Sequence, residues 1–229
     1  MVYDVGSQQW LAEHEADTPR AVGSVMKLLT AYVVIQAGDP THVATVPALQ
    51  LDKSESSIGL YEGEKLKRDL LMRAMLIVSA NDAARTLAVD VGGTEDAFVT
   101  RMNTAAQALG MVNTVAANPV GLDAAGEHSS ARDMVTLANI LMGDPTFRAT
   151  VARKDARLHG LVFPSTNDLL STYAGATGVK TGHTTDAGYC VVGSATRDGR
   201  SVIVAVLGAP SDKARLTGAT ALLDWAFTQ

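Results

Sequence analysis

Two side chains three positions apart, Ser24 and Lys27, form the first pattern in this sequence that could do chemistry. Residues i and i+3 share one face of a helix, which puts the amine within reach of the hydroxyl. Lys27 is also the only charged residue between Arg20 and Asp39, in a mostly apolar run. Because burial disfavours an ammonium, we predict a lysine of lowered pKa that activates Ser24 as a nucleophile. Helix capping by Ser24 is the simpler interpretation, and it leaves Lys27 unexplained.

A second pattern, Ser79-x-Asn81, interrupts a long helical stretch with residues that favour caps and turns. At such a boundary the Ser79 hydroxyl could relay a proton, and the Asn81 amide could hold a substrate amide. The same pattern recurs at Ser165 and Asn167. That copy follows a proline and precedes a strand, and we interpret it as a turn.

The third pattern, Lys180-Thr181-Gly182, ends a strand. Gly182 would let a substrate backbone approach closely. The backbone N–H groups of His183 and Ser24 could then form a two-donor oxyanion hole for acyl transfer, with the His183 ring as a further candidate contact. An ordinary strand-end turn with a solvated lysine is the alternative interpretation.

The surrounding elements read in the order strands, helices, strands, helix, which predicts an α+β fold. We expect an antiparallel sheet flanked by terminal helices with an all-helical insertion. The sheet lobe should cover about 1–23 and 160–229 and the helical lobe about 24–159, within a single catalytic domain. The predicted strands are 2–5, 9–13, 178–181, 188–195 and 201–207, and the predicted helices are 24–37, 69–89 with a break at 79–82, 95–109, 130–142 and 211–227.

The composition is that of a globular protein, with 229 residues, 47% hydrophobic and 19% charged, and a formal net charge of −5. That charge offers no general attraction for nucleic acid. A single cysteine, Cys190, cannot form an intrachain disulfide or a cysteine metal cluster, and we expect it in a buried strand. The histidines lack ligand spacing, so no metal site is predicted. The apolar run 21–38 is interpreted as a core helix because it barely reaches membrane-spanning length.

Taken together, the three patterns resemble the serine penicillin-recognising enzymes. Within that group the chain is similar to the low-molecular-mass D-alanyl-D-alanine carboxypeptidases of peptidase family S11. The blocks that carry this resemblance are 24–33, 76–84, 121–122 with 129–134, and 178–189. The resemblance implies a β-lactamase/transpeptidase-like fold and a cofactor-free serine D,D-carboxypeptidase that removes the terminal D-Ala from peptidoglycan stem pentapeptides and is acylated by β-lactams.

The resemblance also implies a role for each matching residue. Ser24 would be the nucleophile and Lys27 its base, and either Lys27 or Ser79 would accept the first proton. The implied substrate-binding residues are Asn81, Lys180, Thr181 and Gly182. The family places an arginine near the substrate carboxylate, which corresponds here to Arg215. A solvated arginine on the last helix is the alternative interpretation of Arg215.

Val22 and Gly23 depart from the Pro and Ala that usually precede the family's serine. The opening residues read as a strand, not as a signal peptide, and neither the usual C-terminal β-domain nor a membrane-binding helix is recognised. We expect extracytoplasmic action from the resemblance, with no membrane attachment encoded in this chain.

Several rival functions remain after this comparison. A serine β-lactamase of the same fold is one, although the Glu-x-x-Leu-Asn segment of class A members is missing. A D,D-endopeptidase, a transpeptidase and a penicillin-binding sensor that does not turn over remain open.

Overall fold

The computed structural model describes residues 1–229 and contains nine strands and eight α-helices. The strands are β1 (Val2–Asp4), β2 (Gln9–Ala12), β3 (Val43–Thr45), β4 (Lys65–Lys67), β5 (Asp155–Leu158), β6 (Leu161–Pro164), β7 (Ala176–Thr184), β8 (Gly188–Arg197) and β9 (Arg200–Ala209). The helices are α1 (Lys27–Gln36), α2 (Arg68–Arg73), α3 (Asn81–Gly92), α4 (Glu95–Ala108), α5 (Ala131–Met142), α6 (Pro145–Val151), α7 (Leu169–Thr172) and α8 (Asp212–Ala226).

The main sheet has five antiparallel strands in the order β2-β1-β9-β8-β7. Strands β7 to β9 are joined by hairpins, and Asp198 and Gly199 between β8 and β9 have φ values of 51° and 79°. These are the left-handed conformations that a two-residue hairpin turn requires, as the sequence predicted. This arrangement leaves β7 as an edge strand beside the start of α1.

Helices α1 to α5 form where the apolar periodicity predicted them. The long helical stretch breaks as expected: α2 runs into a π-helical turn (Ala74–Val78), Ser79 adopts φ 66°, and α3 begins at Asn81. Ser130 and Ser211 cap α5 and α8 by accepting hydrogen bonds from backbone N–H groups three residues on. None of the helices combines the length and apolar character needed to cross a bilayer.

Two hydrophobic cores hold the sheet in place. The larger joins buried residues of α1, α3, α4 and α5 to side chains of β7, β8 and β9, so helices and sheet share one continuous interior. The smaller packs α8 against the opposite face of the sheet. The division into lobes near 23 and 160 stays a prediction. The two-stranded sheets β3–β4 and β5–β6 and the short helices α6 and α7 were not predicted. Segments this short give only a weak periodicity signal.

Candidate active site

Ser24 and Lys27 lie in contact, as their spacing predicted. Ser24 sits in a 3-10 turn (Gly23–Met26) that leads directly into α1. The Lys27 Nζ lies 2.7 Å from Ser24 Oγ and 2.8 Å from the carbonyl oxygen of Val120. Val22 occupies the cap position of the turn, and no side chain caps it. The helix-capping interpretation of Ser24 is therefore wrong.

Lys27 is completely buried, with neither of its two hydrogen-bond partners a carboxylate. Burial, reinforced by the positive charge of Lys180, holds the pKa of Lys27 well below its usual range. The negative charge of Glu55 opposes this shift only in part. A neutral amine 2.7 Å from a serine hydroxyl is able to accept its proton.

The Val120 carbonyl is held in place by a side-chain network that the sequence did not reveal. Asn118 Oδ1 accepts hydrogen bonds from the backbone N–H groups of Val120, Gly121 and Leu122. Glu127 in turn accepts from the side chain and backbone N–H of Asn118. Burial raises the pKa of Glu127 to about 7. The hydrogen bonds that it accepts act in the opposite direction, because they stabilise its charged form, but they offset only part of this shift. The network fixes the acceptor that orients the Lys27 amine.

Ser79 and Lys180 meet although 101 residues separate them. The Lys180 Nζ donates to Ser79 Oγ at 2.9 Å and to the carbonyl oxygen of Thr181 at 2.8 Å. Lys180 is 1% exposed and β7 continues to Thr184. The third pattern therefore lies within the strand, and the interpretation of a solvated strand-end lysine is wrong. Burial, together with the charge of Arg215, lowers the pKa of Lys180 to about 7. The Ser79 hydroxyl thus accepts a hydrogen bond from an amine whose pKa is about 7.

Asn81 lies beneath these groups at the start of α3. Its Nδ2 donates to Glu55 Oε2 at 2.6 Å, and its backbone N–H donates to the carbonyl oxygen of Ser56 at 2.7 Å. Its Oδ1 is buried without a hydrogen-bond partner. A buried amide oxygen left unpaired is costly, and it is available to a donor that arrives with a ligand. Sequence reasoning identified Asn81 and missed Glu55, which fixes the orientation of its amide.

These elements enclose a cleft of about 320 Å³ between β7, the Ser24 turn and the segment around Ser79. The cleft is lined by Ser24, Ser54, Ser56, Ser79, Thr166, Thr181, Gly182, His183, Tyr189, Asp212 and Arg215. Ser54, Ser56, Thr166, Tyr189 and Asp212 were not predicted. Hydroxyl groups in loops are common, and no residue-type signal distinguishes the few that reach a site.

The second Ser-x-Asn segment forms a turn, as predicted, because Ser165 Oγ accepts from the backbone N–H of Asn167 at 3.2 Å. Thr166 within that turn nevertheless reaches the cleft, where its hydroxyl lies 2.8 Å from that of Thr181. The turn therefore contributes Thr166 as a contact of Thr181, whereas Ser165 itself does not line the cleft.

Arg215 is buried at the start of α8, so the solvated-arginine interpretation is wrong. Its guanidinium forms an ion pair with Asp212 and a long hydrogen bond of 3.4 Å to the carbonyl oxygen of Cys190. The guanidinium carbon also lies 5.9 Å from the centre of the Tyr189 ring. Cys190 is fully buried in β8, as expected.

Glycine is required where β7 passes the Ser24 turn. A Cβ added to Gly182 would lie 2.5 Å from the Val22 carbonyl oxygen and 2.9 Å from the Ser24 nitrogen. A Cβ on Gly23 would similarly lie 3.0 Å from the His183 nitrogen. The two candidate oxyanion donors, the N–H groups of Ser24 and His183, therefore belong to backbone segments that are in close contact.

Gly182→Ala is expected to slow acylation of the protein by penicillin by about 10²- to 10³-fold, because the methyl group must push the Ser24 turn away from β7. Stopped-flow acylation measures this rate. Gly218→Ala is the matched control, since its added Cβ would meet only Val206 methyls at ordinary contact distances of 3.6 and 3.7 Å. Equal acylation rates in the two variants would contradict the role given to this close approach.

Comparison with known proteins agrees with this architecture. The family model described as D-alanyl-D-alanine carboxypeptidase, peptidase S11, matches residues 1–211. The Bacillus subtilis D-alanyl-D-alanine carboxypeptidase DacF is 32% identical over 221 residues, covering 91% of this chain and 56% of that protein. The chain thus spans less than two thirds of the length of this relative.

Two solved structures share the fold along the whole chain. The Streptomyces K15 DD-transpeptidase superposes with a TM-score of 0.90 at 31% identity, covering 100% of this chain and 95% of that one. Penicillin-binding protein D2 from Listeria monocytogenes, in its cefotaxime-bound form, gives a TM-score of 0.89 at 33% identity, covering 99% and 95%. The fold is that of the transpeptidase- and β-lactamase-like proteins. The chain belongs to the D-alanyl-D-alanine carboxypeptidase family, peptidase S11.

Proposed function

We propose that this protein is a serine D,D-carboxypeptidase that removes the terminal D-Ala from peptidoglycan stem pentapeptides through an acyl-enzyme on Ser24. The observation that carries the proposal is the 2.7 Å contact between Ser24 Oγ and the buried Lys27 amine at the floor of a hydroxyl-lined cleft. Family membership supports the substrate class.

In the proposed acylation step, neutral Lys27 takes the proton of Ser24 while Oγ bonds to the carbonyl carbon of the penultimate D-Ala. The N–H groups of Ser24 and His183 stabilise the developing oxyanion. The carbon–nitrogen bond to the terminal D-Ala then breaks, and its nitrogen receives the proton directly from Lys27 or through Ser79. Water attacks the resulting ester, releases the shortened peptide and returns the proton to Ser24.

The remaining polar groups of the cleft would bind substrate. Lys180 and Thr181 on β7, with the partly unpaired Asn81 amide, offer donors and acceptors to the peptide backbone. Arg215 provides a buried cation for the free carboxylate. β-Lactams would acylate the same serine, in keeping with the cefotaxime-bound state of the Listeria relative. Because the proposed substrate is peptidoglycan, we propose that the protein acts in the periplasm or cell envelope.

The test is release of D-Ala from a D-Ala-D-Ala-terminated pentapeptide, measured until product far exceeds enzyme. We expect continued turnover. A single equivalent of D-Ala would indicate a sensor that acylates once, and no release would overturn the proposal.

Similarity to a DD-transpeptidase favours transfer to an amine as the second candidate. Adding glycine as acceptor and analysing the products by mass spectrometry separates transfer from hydrolysis.

Arg215→Ala is expected to lower kcat/KM for the pentapeptide by about 10- to 150-fold, because a charge-assisted bond to the carboxylate is lost. Arg215→Lys should recover only part of the loss, since an ammonium lacks the planar fork of a guanidinium. Steady-state kinetics on the pentapeptide and on its C-terminal amide provide the check. The loss should shrink strongly on the amide, whereas equal losses on both substrates would mean that Arg215 acts through structure.

A further inference from the structure

The buried guanidinium of Arg215 has an anionic partner on the protein itself. Asp212, one turn earlier on α8, forms an ion pair with it. The two side chains differ in accessibility, since that of Arg215 is 10% exposed and that of Asp212 is 54% exposed. Asp212 is also the only carboxylate among the residues that line the cleft. A substrate carboxylate that approaches Arg215 therefore meets a neutralised pair instead of a free cation.

Arg215 has contacts that fix its position without Asp212. Its guanidinium donates to the Cys190 carbonyl oxygen, at 3.4 Å, and lies 5.9 Å from the centre of the Tyr189 ring. The residue is 8% exposed overall and lies at the start of α8, against the start of β8. Removing the Asp212 carboxylate should therefore leave the guanidinium in place and change mainly the charge that it presents.

The ionisable groups around Arg215 determine how strongly the charge of Asp212 affects a bound carboxylate. Ionisable groups near Arg215 on the sheet are Lys180 on β7, whose pKa is lowered by burial and by the charge of Arg215, and Tyr189 and Cys190 on β8. None of these three residues carries a carboxylate. Asp168, just before α7, lines a small neighbouring cavity together with Arg215. Asp212 is nevertheless the only carboxylate that lines the cleft itself and forms an ion pair with Arg215.

We propose that Asp212 is a specificity-determining residue that competes with the substrate's terminal carboxylate for Arg215. This inference rests on the proposed function and deepens it. A peptide with a free C-terminal carboxylate must displace Asp212 or share the guanidinium with it, and its binding is weakened by that competition. A peptide whose C-terminus is uncharged leaves the pair intact. Asp212 therefore reduces the difference in binding affinity between peptides with a free C-terminal carboxylate and peptides that are amidated or extended.

The test uses Asp212→Asn, which keeps the shape of the side chain and removes its charge. Binding of an N-acylated D-Ala-D-Ala peptide and of its C-terminal amide is measured by calorimetry in a Ser24→Ala background, where no turnover interferes. We expect the acid to bind about three- to tenfold more tightly than without the substitution, and the amide to change by no more than about twofold. The gain for the acid should shrink at high salt, because part of it arises at an exposed charge.

Asp198→Asn is the matched control, since it removes the same charge from the exposed hairpin turn at the far end of β8. It should change neither affinity. Weaker binding of the acid in Asp212→Asn would show that Asp212 positions Arg215, and equal changes for acid and amide would show a general effect on the cleft. Either outcome overturns the inference. Failure of the proposed function is distinguishable, because it appears as missing D-Ala release by the unsubstituted protein.

Discussion

Ser24→Ala is expected to lower D-Ala release by about 10⁴- to 10⁶-fold, to a residual rate without an acyl-enzyme. The acyl-enzyme needs a hydroxyl next to the base, and Ser24 supplies the only one. The Lys27 amine donates only to Ser24 Oγ and to the Val120 carbonyl oxygen. Removing Oγ leaves the base with nothing to activate. Enzymatic assay of free D-Ala against the unsubstituted protein measures the loss.

Ser165→Ala is the matched control for this substitution, because Ser165 belongs to the other Ser-x-Asn segment and its hydroxyl accepts from Asn167 in a local turn. It should retain most activity. Substantial D-Ala release by Ser24→Ala, with the fold intact, would remove Ser24 as the nucleophile.

Loss of the Lys27 amine is expected to be the second large effect, slowing acylation by about 10²- to 10⁴-fold, the usual contribution of a general base. Lys27→Ala tests this directly, and Lys27→Met keeps the buried volume filled while also removing the amine. Because burying an amine carries a desolvation cost that an apolar Met side chain does not, thermal unfolding of the Met variant should show no loss of stability. Stopped-flow acylation by a chromogenic β-lactam measures the rate.

The pH dependence gives a signature that a structural role of Lys27 would not produce. Only the neutral amine accepts a proton, so acylation should rise with pH up to the pKa of Lys27, which burial keeps well below its usual range. That rising limb should vanish in Lys27→Met. Lys65→Ala, which removes an exposed lysine from β4, should change neither the acylation rate nor its rise with pH. Normal acylation by Lys27→Met at neutral pH would exclude Lys27 as the base.

Local spacing was sufficient to predict much of this arrangement. The i, i+3 relation of Ser24 and Lys27 became a direct contact because a 3-10 turn and α1 follow one another without a break. The break at Ser79 was predictable for a similar reason, since residues that favour turns interrupted an apolar helix. Asp198 and Gly199 likewise fixed the β8–β9 hairpin through their tolerance of positive φ.

Other parts of the site depend on contacts that no local pattern encodes. The acceptor that holds Lys27 is a backbone carbonyl, Val120, and a carbonyl carries no residue-type signal. Its support by Asn118 and Glu127 follows from a loop conformation that only the folded chain defines. Asp212 lies in the first turn of α8, where acidic residues are common because they interact favourably with the helix dipole, so its residue type alone does not mark a functional site. Its pairing with Arg215 inside the cleft emerges only once α8 packs against the sheet.

Mass spectrometry after incubation with penicillin measures whether an acyl-enzyme forms on Ser24. Opening of the lactam joins the whole antibiotic to the protein, since the ring carbon–nitrogen bond breaks as the Oγ–carbon bond forms. We predict one added penicillin mass, located on Ser24 by peptide mapping and absent from Ser24→Ala. An adduct that survives Ser24→Ala, or that maps to Ser165, would contradict the account.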